Sequence, residues 1–167
     1  MKELEKIAPE DRIFSDETGI DNNEVVITGW APKGKRLYAK KRAVRSARLN
    51  IIAERNFKGE LFAPLLFEGY CNADIFAEYL QQVLLSSLKP GQALIIDNAA
   101  FHKSKKITNL VEQAKCKILY LPPYSPDFNP IEHLWSPLKK KIRTLAASPD
   151  HFYDAAVETL FNMCTPQ

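Results

Sequence analysis

The feature of this sequence that most constrains its fold is the order of its apolar segments. The first part of the chain has short apolar runs separated by turn residues, at residues 12–16, 24–30, 49–53 and 61–67. Such closely spaced runs predict the strands of an antiparallel meander. Helix-like and strand-like segments then alternate, with helices over about 73–88 and 104–114 and strands over 92–97 and 117–121. A meander followed by this alternation predicts a mixed α/β sheet.

Polar residues and prolines mark the expected ends of several helices. Asn72 is expected to cap the helix that begins at residue 73. Asn129 followed by Pro130 predicts the N-cap and the first position of a later helix. Pro137 is expected to kink or end that helix, because proline lacks the N–H that the helical hydrogen bonds require. A last helix is expected over about 149–163.

Length and composition indicate one folded domain. The 167 residues are 46% hydrophobic and 26% charged, an ordinary globular balance that excludes a disordered tail. No apolar run approaches the roughly 18 residues of a membrane span, and no apolar signal segment is visible at the N-terminus. The three cysteines are widely spaced, which suits a reducing compartment. We therefore expect a single domain over residues 1–167, acting in the cytoplasm.

Positive charge is concentrated beyond the N-terminal segment. Residues 1–24 hold eight acidic and three basic side chains, so the remainder carries +8 although the whole chain carries +3. Clustered bases attract polyanions, most commonly nucleic acid, although any one cluster can equally be a solvated face. Three clusters lead us to predict DNA contacts. Their basic residues are Lys33, Lys35, Arg36, Lys40, Lys41, Arg42, Arg45, Arg48, Lys103, Lys105, Lys106, Lys139, Lys140, Lys141 and Arg143.

Three acidic residues occupy the ends of predicted elements. Asp16 ends the first strand, Asp97 ends the apolar strand, and Glu132 lies in the first turn of the helix opened by Asn129. Carboxylates in such places can converge at one edge of a sheet, where oxygen ligands suit Mg²⁺ or Mn²⁺. Each acid also has a structural explanation, namely a turn for either aspartate and a capping box for Glu132.

Longer motifs surround these acids. Residues 16–19 read DETG, residues 94–103 read LIIDNAAFHK, and residues 121–135 read LPPYSPDFNPIEHLW. Thirty-four residues separate Asp97 from Glu132. With TGWAPKG at residues 28–34, these motifs resemble the DDE transposases of bacterial insertion sequences related to mariner elements. The third motif is the most specific of them, and the resemblance spans roughly residues 12–143.

The resemblance implies a fold, a site and a reaction. The fold is RNase H-like, a five-stranded mixed sheet with helices on both faces. The catalytic residues and metal ligands are Asp16, Asp97 and Glu132, with two Mg²⁺ or Mn²⁺ ions. Asn98 and His102 are expected to support Asp97 or an ion, or to contact phosphate. The reaction is hydrolytic nicking at transposon ends, followed by attack of the freed 3′-OH on target DNA.

The resemblance also predicts partners. Related transposases read double-stranded DNA through upstream helix-turn-helix modules, whereas this chain reaches its first catalytic strand by residue 12. We therefore expect that module to be absent, so that either a separately encoded helix-turn-helix polypeptide supplies it or the chain is an isolated catalytic domain, with a homodimer assembling on nucleoid DNA. The alternatives are a catalytically silent remnant that binds DNA or a partner, and another RNase H-like nuclease. The third motif argues against the latter.

Two neighbours of Glu132 need separate interpretation. Trp135 is expected to pack in the core. Asp127 is a second possible ligand on composition, but an aspartate after Ser125-Pro126 more commonly bonds its own backbone and fixes a turn. We therefore expect Glu132 to be the third ligand, because the field of the helix N-terminus favours its negative charge.

Overall fold

The computed structural model of the protein describes residues 2–21, 33, 48–123, 125–146 and 151–164. These residues form one mixed sheet in the order β3-β2-β1-β4-β5. β1 pairs antiparallel with β2, and β2 with β3, whereas β4 runs parallel to both β1 and β5. The predicted five-stranded mixed sheet is confirmed, while the strand and turn predicted over 24–34 lie outside the described residues except for Lys33. The strands are β1 (Arg12–Asp21), β2 (Arg48–Arg55), β3 (Leu61–Glu68), β4 (Ala93–Ile96) and β5 (Lys117–Tyr120).

Apart from the short helix Lys2–Glu5, which was not predicted, the helices follow the predicted order. Asn72 caps α2 as expected, since its side chain accepts the N–H groups of Asp74 and Ile75 at 2.9 and 3.0 Å. A π-helical turn (Leu80–Leu84) and a 3₁₀ turn (Leu85–Ser87) continue α2. The helices are α1 (Lys2–Glu5), α2 (Ala73–Tyr79), α3 (Lys105–Gln113), α4 (Glu132–Leu145) and α5 (Phe152–Cys164).

Two large hydrophobic cores lie on opposite faces of the sheet, and a small third cluster contains Phe14, Ile95 and Leu121. Side chains along a strand alternate between faces, so Ile51 and Ile52 of β2 enter different cores. Ile51 packs with α4 and α5, through residues that include Leu138 and Leu160. Ile52 packs with α2 and α3. The predicted placement of helices on both faces is confirmed. None of the helices described is both long and apolar enough to span a bilayer.

The first strand is longer than predicted. β1 does not end at Asp16 but continues to Asp21, where it pairs with Arg48. Its pairing with the parallel strand β4 ends at Phe14, so beyond that residue β1 is paired with β2 on one side alone. The antiparallel ladder with β2 overrides the turn-like composition of DETG. Asp16 therefore lies where the sheet opens rather than where the strand ends.

Helix α4 also differs from its prediction at two positions. Asn129 is not its N-cap, because the helix begins at Glu132 and the buried Asn129 amide instead donates from Nδ2 to the Ser15 carbonyl at 3.5 Å. Pro137 does not end the helix, which continues to Leu145. An interior proline costs roughly 3 kcal/mol. Buried side chains such as Trp135 and Leu138 contribute roughly 1.5–3 kcal/mol each and offset this cost.

Candidate active site

A cleft of about 410 Å³ opens at the carboxyl ends of the parallel strands β1 and β4. Asp16, Asp97 and Glu132 all line it, together with Asn98 and Asn129. Open sheets bind ligands at this position, where the connections of neighbouring strands diverge. The structure therefore brings the three predicted acids to one cleft, from a strand interior, a strand end and a helix start.

Asp16 is the most buried of the three acids in its surroundings. Burial raises its pKa to about 7, and the nearby carboxylates of Glu132 and Asp97 contribute to the increase. The indole Nε1 of Trp135 opposes this shift by donating to Asp16 Oδ2 at 2.7 Å. The charged form of the Asp16 carboxyl is therefore disfavoured, and a cation in the cleft would stabilise it.

Asp97 directly follows β4 and is held by two donors. His102 Nδ1 lies 2.7 Å from its Oδ1, and the Ala99 N–H donates to the same oxygen at 3.0 Å. The His102 contact is the main reason that the pKa of Asp97 is lowered. The His102 ring is 4% exposed and packs against Phe76 and Phe101, with centroids 4.4 and 4.1 Å away. This burial favours support of Asp97 over phosphate contact.

Glu132 is exposed at the first position of α4. Arg55 steadies the segment before it, because Nη1 donates to the Pro130 carbonyl at 2.6 Å. Asp127 is exposed within the 3₁₀ turn Pro126–Phe128, and it is Glu132 that lines the cleft with the two aspartates. The geometry therefore favours Glu132 over Asp127 as the third acid.

The donor set of the cleft fits a hard divalent cation. Its charged groups are carboxylates, its amides come from Asn98 and Asn129, and Asn129 Oδ1 is buried without a hydrogen-bond partner. Oxygen ligands of this kind suit Mg²⁺ or Mn²⁺. Within the described ranges, no three His, Cys, Asp or Glu side chains are gathered closely enough to hold an ion as they stand.

The predicted DNA contacts fall in several places. Lys33, Lys103, Lys105, Lys106, Lys140, Lys141 and Arg48 are exposed, and Lys141 also lines a separate cavity near the end of α5. Arg143 is half-buried, and Lys35, Arg36, Lys40, Lys41, Arg42 and Arg45 lie outside the described residues.

Two of these cations lie close to the acidic cleft. Lys139 is half-buried and lies about two turns after Glu132 on the same side of α4. Its pKa is lowered mainly by burial and further by Arg48. The carboxylates of Glu132 and Asp16 oppose that shift, which places Lys139 within their field. The Arg48 guanidinium crosses directly over Gly19, where a Cβ atom would collide with it. Lys139 and Arg48 are therefore the described cations best placed for a polyanion entering the cleft.

Sequence reasoning missed two polar contacts of the site region. Trp135 was expected only as a core residue, and it is one, but its N–H also reaches Asp16. The available signal was its i,i+3 spacing from Glu132, which places both on one side of the helix. Glu54 is the other. It lies fully buried in β2, and Ser15, the residue before Asp16, donates to its Oε1 at 2.8 Å.

Comparison with known sequences gives a consistent set of matches. Residues 11–151 match the family described as DDE superfamily endonuclease. The Tcb1 transposase of Caenorhabditis briggsae is 36% identical over 81 residues, which cover 48% of this chain and 30% of that protein. The Tc1 transposase of Caenorhabditis elegans is 31% identical over 75 residues, which cover 45% and 28%. An uncharacterized protein of Sinorhizobium fredii is 33% identical over 67 residues, covering 40% and 47%. The matched segments thus span less than half of each relative.

Solved structures share the fold at low sequence identity. The Mos1 strand transfer complex matches with a TM-score of 0.66 at 14% identity, covering 97% of this chain and 55% of that one. The Mos1 mariner paired end complex with Mn matches with a TM-score of 0.64, also at 14% identity, covering 97% and 56%. A chain of the simian T-cell lymphotropic virus intasome in complex with PP2A regulatory subunit B56 gamma matches with a TM-score of 0.62 at 14% identity, covering 93% and 49%. These likenesses confirm the predicted RNase H-like fold.

Proposed function

The chain belongs to the DDE superfamily of endonucleases, and from this premise we propose that it is the catalytic domain of a transposase. It cleaves DNA at transposon ends and joins the freed 3′-OH to target DNA. The observation that carries this proposal is the single cleft lined by Asp16, Asp97 and Glu132. These three carboxylates come from three separate elements, and no structural role common to them explains why they meet in this cleft.

Asp16, Asp97 and Glu132 would hold divalent ions, for which we propose two Mg²⁺ or Mn²⁺. When bound, such ions activate the attacking oxygen and offset charge on the leaving oxygen of a phosphoryl transfer. Burial is the main reason that the pKa of Asp16 is raised, and the carboxylates of Glu132 and Asp97 add to the increase, so a cation at this place would be favourable. Ion binding also supplies the attraction that would draw the three side chains together.

Other residues in and beside the cleft orient the acids or contact DNA. His102 orients Asp97, and Asn98 and Asn129 supply amide groups to the same cleft. Lys139 and Arg48 contact phosphates beside it. We further propose a homodimer on double-stranded DNA, a separate helix-turn-helix polypeptide that reads the ends, and action in a bacterial cytoplasm. Structural relatives solved as complexes with transposon ends support the DNA partner.

A plasmid nicking assay tests the proposal. Supercoiled DNA is incubated with the full chain and Mg²⁺ or Mn²⁺, with an EDTA control. We expect metal-dependent nicking that Asp16→Asn, Asp97→Asn and Glu132→Gln abolish. Glu112→Gln, at an exposed position on α3, serves as the matched control and should retain full activity.

Two outcomes would contradict the proposal in different ways. DNA binding without cleavage, in the presence of either metal, would identify a silent remnant. Cleavage restricted to the RNA strand of an RNA/DNA hybrid would identify a different RNase H-like nuclease.

A further inference from the structure

One side chain links the helix that carries Glu132 to the carboxylate of Asp16. Trp135 lies three residues after Glu132 on α4, and its Nε1 donates to Asp16 Oδ2 on β1 at 2.7 Å. The contact spans 119 residues of sequence, and the ring is 4% exposed. The helix that presents Glu132 is thus hydrogen-bonded directly to the carboxylate of Asp16.

We propose that Trp135 is a positioning residue for the ion site, because it fixes the Asp16 carboxylate relative to Glu132. The inference rests on the proposed function. It assigns to this tryptophan a task separate from packing, namely to hold one ligand at a set place beside another. Residues outside the ligand set commonly orient ligands in this way.

The chemistry of the contact supports this role. A buried indole N–H needs an acceptor, and a buried carboxylate needs donors, so each satisfies the other. The indole is also neutral. An arginine or lysine in its place would cancel the charge of Asp16 and compete with a cation, whereas tryptophan orients the carboxylate and leaves its negative charge available.

The packing of α4 makes the contact rigid. Trp135 belongs to the core that contains Leu138 and Ile142 of the same helix and Ile51 and Ala53 of the adjacent strand β2. Because the indole is fixed in this core, the position of Asp16 Oδ2 follows from how α4 docks on the sheet. Rigid supporting elements of this kind are what precise ligand geometry requires.

Trp135→Phe removes the donor while keeping an aromatic ring. Ile142→Val, which trims another buried residue of α4 without touching Asp16, is the matched control. Binding of Mn²⁺ alone to the full chain is measured from the electron paramagnetic resonance signal of the free ion. We expect Trp135→Phe to weaken Mn²⁺ binding by roughly 10–100-fold. Ile142→Val should bind Mn²⁺ like the wild type.

Cleavage provides the second readout. The Mn²⁺ concentration for half-maximal nicking should rise by the same factor in Trp135→Phe, while the rate at saturating Mn²⁺ stays within a few-fold of wild type. A packing defect would instead lower the folded fraction at every Mn²⁺ concentration, as the melting curves of both variants would show.

Nuclear magnetic resonance supplies a readout that needs no metal. The chain has two tryptophans, so the indole N–H signal missing in Trp135→Phe belongs to Trp135. Asp16→Asn should shift that signal, and adding Trp135→Phe to Asp16→Asn should change Mn²⁺ binding little further. An unshifted signal, or equal Mn²⁺ binding by wild type and Trp135→Phe, would overturn the inference.

The two proposals fail separately. If the wild-type chain nicks DNA and Trp135→Phe matches it at all Mn²⁺ concentrations, the positioning role alone is refuted. Mn²⁺ binding that depends on Trp135 in a chain that never nicks DNA refutes the proposed function alone. A wild-type chain that binds no Mn²⁺ refutes both.

Discussion

Replacing Glu54 by glutamine should make the protein more stable at alkaline pH. Glu54 is fully buried, accepts from Ser15, and contacts the Tyr79 hydroxyl. That hydroxyl also lies 2.7 Å from the Ala63 carbonyl, yet it has a single proton to donate. Both contacts are satisfied if Glu54 is protonated, because its Oε2–H then donates to the Tyr79 hydroxyl and that hydroxyl donates to the Ala63 carbonyl. The network is therefore complete only when Glu54 is neutral.

The size and sign of the effect follow from the pKa of Glu54. Burial raises this pKa from 4.5 to about 8, although the hydrogen bonds that Tyr79 and Ser15 would donate to the charged carboxylate oppose the shift. Below pH 4.5 both the folded and the unfolded chain hold the proton, so the contribution of Glu54 to stability is fully present. Between pH 4.5 and about 8 only the unfolded chain releases it, and the free energy of unfolding falls by about 1.4 kcal/mol per pH unit. Above pH 8 the loss levels off, at several kcal/mol.

Glutamine reproduces the neutral acid. Its carbonyl accepts from Ser15 and its amide donates to Tyr79, so the network survives without a titrating group. We expect Glu54→Gln to exceed the wild type by several kcal/mol at pH 8 and to match it near pH 5. The measurement is urea unfolding in EDTA at intervals from pH 5 to 9, with Glu68→Gln at an exposed position as the control.

A residual slope should remain in the variant. The pKa of Asp16, raised to about 7 by burial, gives the same sign of dependence up to that pH, and Asp16→Asn should remove it. Parallel curves for wild type and Glu54→Gln from pH 5 to 8, or a variant less stable than wild type at pH 8, would refute the neutral-acid network.

Three further predictions concern the site. Glu132→Gln should abolish metal-dependent nicking and leave the melting temperature unchanged, whereas Asp127→Asn should lower the melting temperature and keep residual nicking. Loss of nicking in Asp127→Asn with unchanged melting, alongside an active Glu132→Gln, would make Asp127 the ligand. His102→Phe keeps the ring packing but removes the donor to Asp97, so nicking should fall by roughly 10–100-fold with little change in melting, and full activity would count against this role. DNA binding by the chain should be independent of sequence and weaken steeply with salt, and Lys139→Ala should reduce the salt slope measured by fluorescence anisotropy; a strong preference for one sequence would contradict this.

Much of the fold could be predicted because local signals and burial agree. The apolar run that became β4 is buried on both faces, and Asn72 caps α2 as its residue type suggests. The errors occur where tertiary contacts decide. β1 extends past Asp16 because β2 pairs with it, and Asn129 leaves the helix N-terminus because a strand carbonyl is within reach. Neither partner is visible in the local sequence.

The candidate site likewise has features that follow from local sequence and features that depend on tertiary contacts. The acids could be located, because their motifs and positions near element ends follow the chain. The side chains that donate hydrogen bonds to these acids were harder to predict. His102 was expected near Asp97, five residues away, but the bond from Trp135 to Asp16 depends on how α4 docks on β1. A hydrogen bond across 119 residues has no local pattern, and it appears only once the sheet order and helix packing are known.

The two supporting donors leave the aspartates in different electrostatic states. The pKa of Asp97 is lowered, chiefly by His102, whereas burial keeps that of Asp16 raised despite the bond from Trp135. The carboxyl of Asp97 therefore favours its charged form more strongly than the buried carboxyl of Asp16 does. In the proposed ion site, Asp16, Asp97 and Glu132 would hold a divalent ion, whose positive charge would favour the charged form of the buried Asp16 carboxyl. The proposed site would therefore be completed by the ion itself, because the three acids line one cleft although no three such side chains among the described residues are gathered closely enough to hold an ion.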